Sequence, residues 1–420
     1  MREGRNDGAP AAEQSSNRLG EPCQLRRLIG ALAPALGAFV LLVTPAAALD
    51  NGQARTPPMG WNSWYTAHCG VTEKVVLRNA RAIVKRGLAA RGYEYVNVDG
   101  CWEAHKRDAK GRLTSDPDRF PSGMAELGRK IHALGLRYGI YTSAGYRICS
   151  HPQPGSWGHF DRDMRTFARW KVDYVKVDWC DLPPHSDPVD VYARVARAAK
   201  DAGRSMLTTV STPGVHKPWL WAPPYGNTWR ISADANGTWK GVLASLDVDA
   251  PLHPYAGPGG WNDPDMLQVG DGVLTADEER SHMSLWAMLA APLLEGYSVA
   301  TMAPASLAVL SNADVVAVDQ DARGHQGRRV RTRDGVELWV RRLAHHATAV
   351  VLFNRSAGTR TAKARLADLP GLPDAQRYDA RELWTGVEAA PGPGGSLKAT
   401  LAKHAVAMWR VEPRSTAAGP

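Results

Sequence analysis

Between about residues 55 and 320 short apolar runs alternate with amphipathic helical ones, and this alternation limits the chain to very few folds. The strand-like runs are Met59–Trp61, Tyr95–Val98, Tyr138–Tyr141, Tyr174–Val177, Met206–Val210, Thr228–Ile231, Gly260–Asp263 and Pro292–Leu294. Helix-like segments separate them at Thr72–Ala90, Met124–Leu134, Phe160–Trp170, Pro188–Ala202, Thr238–Val248 and Ala276–Ala290. Acids open the helices at Asp161 and Asp277, and Gly92, Gly135 and Gly203 stand where helices should stop. Strands and helices alternating about eight times predict an α/β fold, a parallel (β/α)8 TIM barrel. An open doubly wound sheet is the other arrangement, but no Gly-rich dinucleotide turn follows the first strand.

From about Val330 the texture changes. Val336–Arg341, Thr348–Asn354, Ala362–Leu366, Tyr378–Leu383 and Ala405–Val411 are short alternating runs between Gly, Pro and Asn turns, which predicts a C-terminal antiparallel β-sandwich. The expected division is 1–48 export signal, 50–325 barrel, 326–413 sandwich and 414–420 tail. Arg26-Arg27, the apolar run from Leu28 to Val43 and Ala46-Ala47-Ala48 have the order of a cleavable signal peptide, so the expected location is secreted, with no membrane anchor after its removal. The net charge of +9 is spread along the chain without a long basic run, so no nucleic-acid partner is expected. Beyond Cys23 four cysteines remain, Cys69, Cys101, Cys149 and Cys180; an even number in an exported chain predicts two disulfides, with three pairings open. Their spacings do not suit zinc, and no metal or cofactor is expected.

Tyr174-Val175-Lys176-Val177-Asp178 carries the chemistry. Alternation along a strand places Lys176 and Asp178 on one face and the valines on the other. Burying both charges costs several kcal/mol, or roughly that, unless they are paired or used. In a parallel barrel the active site lies at the C-terminal strand ends. There the sequence collects Trp61-Asn62-Ser63-Trp64, Asp99, Tyr141, Lys176, Asp178, Arg230, Asp234 and Trp261-Asn262-Asp263-Pro264-Asp265. Carboxylates, cations and aromatic faces at one mouth fit sugar chemistry. Asp178, beside Lys176, is expected to stay ionised as a nucleophile; Asp234, on a loop, is expected to hold the proton. Direct attack by Asp178 would place the two carboxyl groups about 5–5.5 Å apart and retain the anomeric configuration.

Thr56-Pro57-Pro58-Met59-Gly60-Trp61-Asn62-Ser63-Trp64, Tyr95-Val96-Asn97-Val98-Asp99, Lys176-Val177-Asp178 and Gly259-Gly260-Trp261-Asn262-Asp263-Pro264-Asp265-Met266 together resemble glycoside hydrolase family 27, the α-galactosidase family, from about residue 55 to 320. The resemblance implies a retaining exo-glycosidase acting on an oligo- or polysaccharide with a terminal α-linked sugar. It implies Asp178 as nucleophile, Asp234 as acid/base, and Trp64 (or Trp61), Asp99, Lys176, Arg230 and Asp265 as sugar-binding residues; Tyr141, from its place at the end of the third strand, is either core or pocket wall and is counted with the sugar-binding residues. It also implies disulfides Cys69–Cys101 and Cys149–Cys180. Two departures bear on the sugar. Gly100 stands where the family carries a second Asp for O4 and O6, and Ser211-Thr212-Pro213 stands where a Cys-Glu-Trp stretch supplies a Glu for O2. Galactose is the first choice; α-1,6-glucan and β-L-arabinopyranose are the alternatives within the family, and a carbohydrate-binding protein without turnover is the alternative outside it.

Overall fold

The computed structural model describes residues 48–149 and 151–414. The expected signal segment, with Cys23, and the expected tail fall outside the described residues apart from Ala48 and Arg414. Eight parallel strands form the first sheet: β1 (Met59–Asn62), β2 (Tyr95–Val98), β3 (Arg137–Ser143), β4 (Tyr174–Asp178), β5 (Leu207–Ser211), β6 (Thr228–Arg230), β7 (Trp261–Asp263) and β8 (Leu293–Glu295). Each pairs with its sequence neighbour, and β8 returns to pair with β1. The seam between β7 and β8 closes one step further along, where Leu267 bridges Glu295 in parallel. The result is the (β/α)8 barrel.

Strand alternation sorts the side chains. Val175 and Val177 point out to the helices in the main core, while Tyr174 points in and packs with Tyr95, Leu207, Met266 and Leu294. The barrel interior is tight near its base: a β-carbon at Gly139 would stand 1.8 Å from Asn97 Oδ1, so glycine is required there. Helices α1 (Trp64–Ala67), α2 (Glu73–Lys85), α3 (Gly123–His132), α4 (Phe160–Arg169), α5 (Pro188–Asp201), α6 (Trp239–Asp249) and α7 (Ala276–Leu289) follow the strands. Their starts have local causes. Thr72, Asp187 and Thr238 cap α2, α5 and α6 with side-chain oxygens, and Thr275 with Glu278 forms a full capping box on α7. Two short helices, α8 (Pro304–Leu310) and α9 (Ala313–Asp319), were not expected, because seven residues are too few to show a helical period.

The C-terminal domain pairs a six-stranded antiparallel sheet with a two-stranded one. The larger sheet holds β9 (Arg328–Arg333), β10 (Val336–Arg342), β11 (Thr348–Asn354), β13 (Tyr378–Glu382), β14 (Glu388–Ala389) and β16 (Val406–Pro413); the smaller holds β12 (Arg360–Arg365) and β15 (Ser396–Leu401). Leu338, Val350, Leu352, Ala364, Leu397 and Leu401 close the space between them. Strand β9 escapes sequence reading because Arg-Arg-Val-Arg-Thr-Arg offers no apolar face; it is an edge strand paired only to β10.

Helix α7 lies between barrel and sandwich and is buried from Glu278 to Leu289 apart from Arg280. Arg341 of β10 is fully buried against it, its guanidinium donating to the carbonyls of Ala287 and Asp319. Burial lowers the Arg341 pKa to about 10, against the pull of Asp319 and Asp321. Arg341→Ala would leave a cavity and orphan two carbonyls. Urea unfolding should show a loss of about 3 kcal/mol, with turnover per folded molecule unchanged.

Candidate active site

The strand register builds the site in layers. Tyr141 of β3 lies beside Lys176 of β4, and Ser143, Asp178 and Ser211 stand level on β3, β4 and β5. A cavity of about 250 Å³ at the C-terminal strand ends is lined by Trp64, Tyr65, Asp99, Gly100, Tyr141, Lys176, Asp178, Trp179, Ser211, Pro213, Arg230 and Asp234, with Cys101, Cys149 and Cys180 in its wall. The two carboxylates expected to react, Asp178 and Asp234, therefore face one space.

Each is tied to a cation with a second, more deeply buried acid behind it. Lys176 Nζ lies 3.1 Å from Asp99 Oδ2 and 3.7 Å from Asp178 Oδ2. Asp99 is held in turn by Asn62 Nδ2 at 2.8 Å and by the backbone N–H of Gly100 at 2.9 Å. The Tyr141 ring centroid lies 5.3 Å from the Lys176 ammonium. Burial would lower the Lys176 pKa, but Asp178 and Asp99 raise it well above the usual lysine value. On the opposite side Arg230 Nη2 lies 2.9 Å from Asp234 Oδ1, and its Nη1 lies 3.2 Å from Asp265 Oδ1. Asp265 also accepts from Tyr65 Oη at 3.0 Å and from the backbone N–H of Ala235 at 2.8 Å, so it anchors the loop that presents Asp234.

Several sequence expectations change. Asp265 is 1% exposed and does not line the cavity; it holds Arg230 from behind. Trp61 is fully buried, donating to Thr66 Oγ1 and the Tyr297 carbonyl, so Trp64 alone of the two faces the cavity. The pKa shifts of the two acids run in the direction opposite to the one expected. Burial raises the Asp178 pKa above the ordinary carboxylate value, with Asp99 adding to the rise and Lys176 opposing it. Burial would also raise Asp234, but its contact with Arg230 outweighs that and leaves it below the ordinary value. The sequence showed Lys176 beside Asp178 but hid the depth of the pocket and the reach of Arg230.

Both disulfides join wall segments: Cys69–Cys101 and Cys149–Cys180. Cys149 Sγ lies 3.4 Å from Asp178 Oδ2 and accepts from Tyr141 Oη at 3.3 Å. His151 Nε2 lies 3.1 Å from Cys69 Sγ, the sulfur being committed to its disulfide. Sequence reasoning missed Tyr65 and Trp179 as wall residues; both directly follow a residue it had chosen, Trp64 and Asp178. It had noted Ser211 only as a departure.

The model of the family described as alpha galactosidase A matches residues 56–321, and that of the alpha galactosidase C-terminal beta sandwich domain matches 333–411. The chain belongs to the α-galactosidase family. It is 40% identical over 366 residues to an α-galactosidase of Oryza sativa subsp. japonica, covering 87% of each chain. Among solved structures it is similar to the α-galactosidase of Saccharomyces cerevisiae with raffinose, at 27% identity and TM-score 0.81, covering 87% of this chain and 99% of that one. It is also similar to a β-L-arabinopyranosidase of Geobacillus stearothermophilus, at 26% identity and TM-score 0.79, covering 89% and 100%. As a member of this family the protein is a glycosidase that hydrolyses O-glycosyl bonds.

Beneath the site Asp263 is buried, accepting from the backbone N–H of Asp265 at 3.0 Å. Burial raises its pKa to about 6, with Arg230 opposing and Asp265 adding. A carboxyl raised on folding favours the folded state below its unfolded pKa and loses that contribution as pH rises through the folded value. From pH 4 to 7 the wild type should therefore lose about 2 kcal/mol relative to Asp263→Asn, measured by urea unfolding at both pH values.

Proposed function

We propose that the protein is a secreted, retaining, exo-acting α-galactosidase that works by double displacement through a covalent glycosyl-aspartate. The observation that carries this reading is the shared cavity of Asp178 and Asp234, each held by its own cation. Asp178 attacks the anomeric carbon while Asp234 gives a proton to the departing glycosidic oxygen; Asp234 then takes a proton from water as it opens the ester. Lys176 and Arg230 present N–H donors to ring hydroxyls, and Trp64 offers an aromatic face.

The proton that Asp234 needs is supplied on binding. Its side chain is 51% exposed in the arrangement described above. A sugar laid over it removes screening water and competes for the Arg230 N–H groups, and both changes raise its pKa. Conversion of Asp178 to an ester removes a negative charge from the cavity, which lowers the Asp234 pKa as it turns from acid to base.

A second reading concerns the sugar. A β-carbon at Gly100 would stand 3.2–3.4 Å from Tyr141 ring carbons, so an aromatic edge fills the corner where the family resemblance places an acid for O4 and O6. Ser211 lines the cavity where the resemblance places a Glu for O2. A corner without that acid favours a sugar lacking the C6 hydroxyl, as β-L-arabinopyranose does, or one substituted there. Loss of such contacts can cost discrimination of up to about 10⁴-fold.

Asp178→Asn should lower kcat on an aryl α-galactoside by at least about 10³-fold with folding intact, and Asp234→Asn by about 10²–10⁴-fold. Unchanged turnover in Asp178→Asn would end the reading. Assays on aryl α-galactoside, α-glucoside, N-acetyl-α-galactosaminide and β-L-arabinopyranoside, with isomaltose oligomers, decide the sugar. The α-galactoside should be cleaved fastest; faster arabinopyranoside cleavage would move the assignment to the second reading with the mechanism unchanged.

A further inference from the structure

A second hollow of about 250 Å³ lies between α4 and α5, lined by His159, Asp161, Arg162, Arg165, Arg194 and Arg197. Arg162, Arg165 and Arg197 are exposed and Arg194 is half-buried. None of the four arginines forms an ion pair among the described residues. Elsewhere on the surface some arginines are paired, Arg112 with Asp108, Arg129 with Glu126 and Arg365 with Asp368, and others, Arg78 and Arg81 among them, form no ion pair among the described residues; what distinguishes these four is that they line one concave surface. Asp161, the acid of this lining, does not reach Arg165 although the two are one helical turn apart.

Four like charges in a concave surface repel one another and focus a positive potential. The fold nevertheless holds two of them, Arg194 and Arg162, in place. The Arg194 guanidinium lies 4.9 Å from the Trp157 ring centroid and 5.2 Å from that of Phe160, which fixes its plane. Arg162 Nη1 donates to the Gly111 carbonyl at 3.3 Å and lies 3.4 Å from His159 Nδ1. Helix α4 starts here without a side-chain cap on its first turn. His159 has a lowered pKa, through burial and then through Arg107 and Arg162, in keeping with a positive local field.

We propose that this hollow binds an oxyanion carried by a polysaccharide, a sulfate ester, phosphate or uronate carboxylate. Guanidinium groups match all three in forked geometry. Helix α4 follows the loop that leaves the C-terminal end of β3, so its start, which gives His159, Asp161 and Arg162 to the hollow, lies toward the strand ends that carry the catalytic cavity. A glycosidase with such a site is held on charged glycan while its catalytic pocket works on neutral termini.

The test compares Arg165→Glu/Arg197→Glu with Arg78→Glu/Arg81→Glu, an equal charge change at exposed positions of α2. Binding to dextran sulfate, polygalacturonate, phosphorylated mannan, uncharged dextran and duplex DNA is measured at fixed ionic strength. The wild type should bind at least one anionic glycan, the first pair should weaken that binding by about tenfold or more, and the α2 pair should change it by less than about threefold. The preferred probe identifies the anion. Aryl glycoside turnover should be unchanged in both variants. Equal weakening by both pairs would reduce the effect to net charge and overturn the proposal. So would equal binding to uncharged dextran, absence of binding, or a preference for DNA.

Discussion

The ammonium of Lys176, buried between Asp99 and Asp178, is the contact on which the site depends. It exists because β4 alternates: Val175 and Val177 satisfy the outer core while Lys176 and Asp178 turn inward. A cation and two carboxylates in so little water would be costly without one another. Asp99 is therefore a necessary partner of that ammonium. It is fixed by Asn62 of β1, so neighbouring strands hold Asp178 in place through one lysine. Arg230 repeats the arrangement across the cavity, with Asp265 as the buried partner and Asp234 as the partner that faces the cavity. In both cases a deeply buried acid orients the cation, and the cation orients the acid that faces the cavity.

Support from outside the barrel lies further back. Disulfides tie the loops after β1 and β2, and those after β3 and β4, beside the acids they flank. Asp265 stands below Trp286 of α7, whose indole N–H donates to its carbonyl at 2.9 Å. Helix α7 in turn meets the sandwich through Arg341, through His404 to Glu278, and through Trp384 to Ser284. The C-terminal domain thus buttresses the helix that backs the β7 loop, a mechanical role that does not require it to touch substrate.

Much of this was legible in the sequence because two signals agreed. The eight strand-like runs carried the barrel, and their C-terminal ends carried the polar residues, so Asp178, Lys176, Asp99, Arg230 and Asp234 were placed by period and position together. What was not legible depends on depth and distance. Asp263 and Asp265 look alike in sequence, yet one is a buried acid beneath the site and the other the anchor of Arg230. Trp61 and Trp64 differ by three residues, but one is the last outward side chain of β1 and the other begins α1 at the cavity. The proton balance of the acids needed the positions of Arg230 and Asp99, which no spacing along the chain reveals. Strand β9 and the short helices α8 and α9 were missed because charge or brevity erased their period.

The chain's departures from the family pattern fall at Gly100 and Ser211, not at the two acids that the proposed mechanism uses. Both positions line the cavity, while Lys176, Asp178, Arg230 and Asp234 line the same cavity with the residue types that the resemblance implies. The central claim is that Asp178 attacks the anomeric carbon directly, with Asp234 assisting across the same bond. Following hydrolysis by proton NMR, fast enough to catch the sugar before it mutarotates, tests this most directly. The account predicts that the first anomer released has the configuration of the substrate; first appearance of the inverted anomer would contradict it.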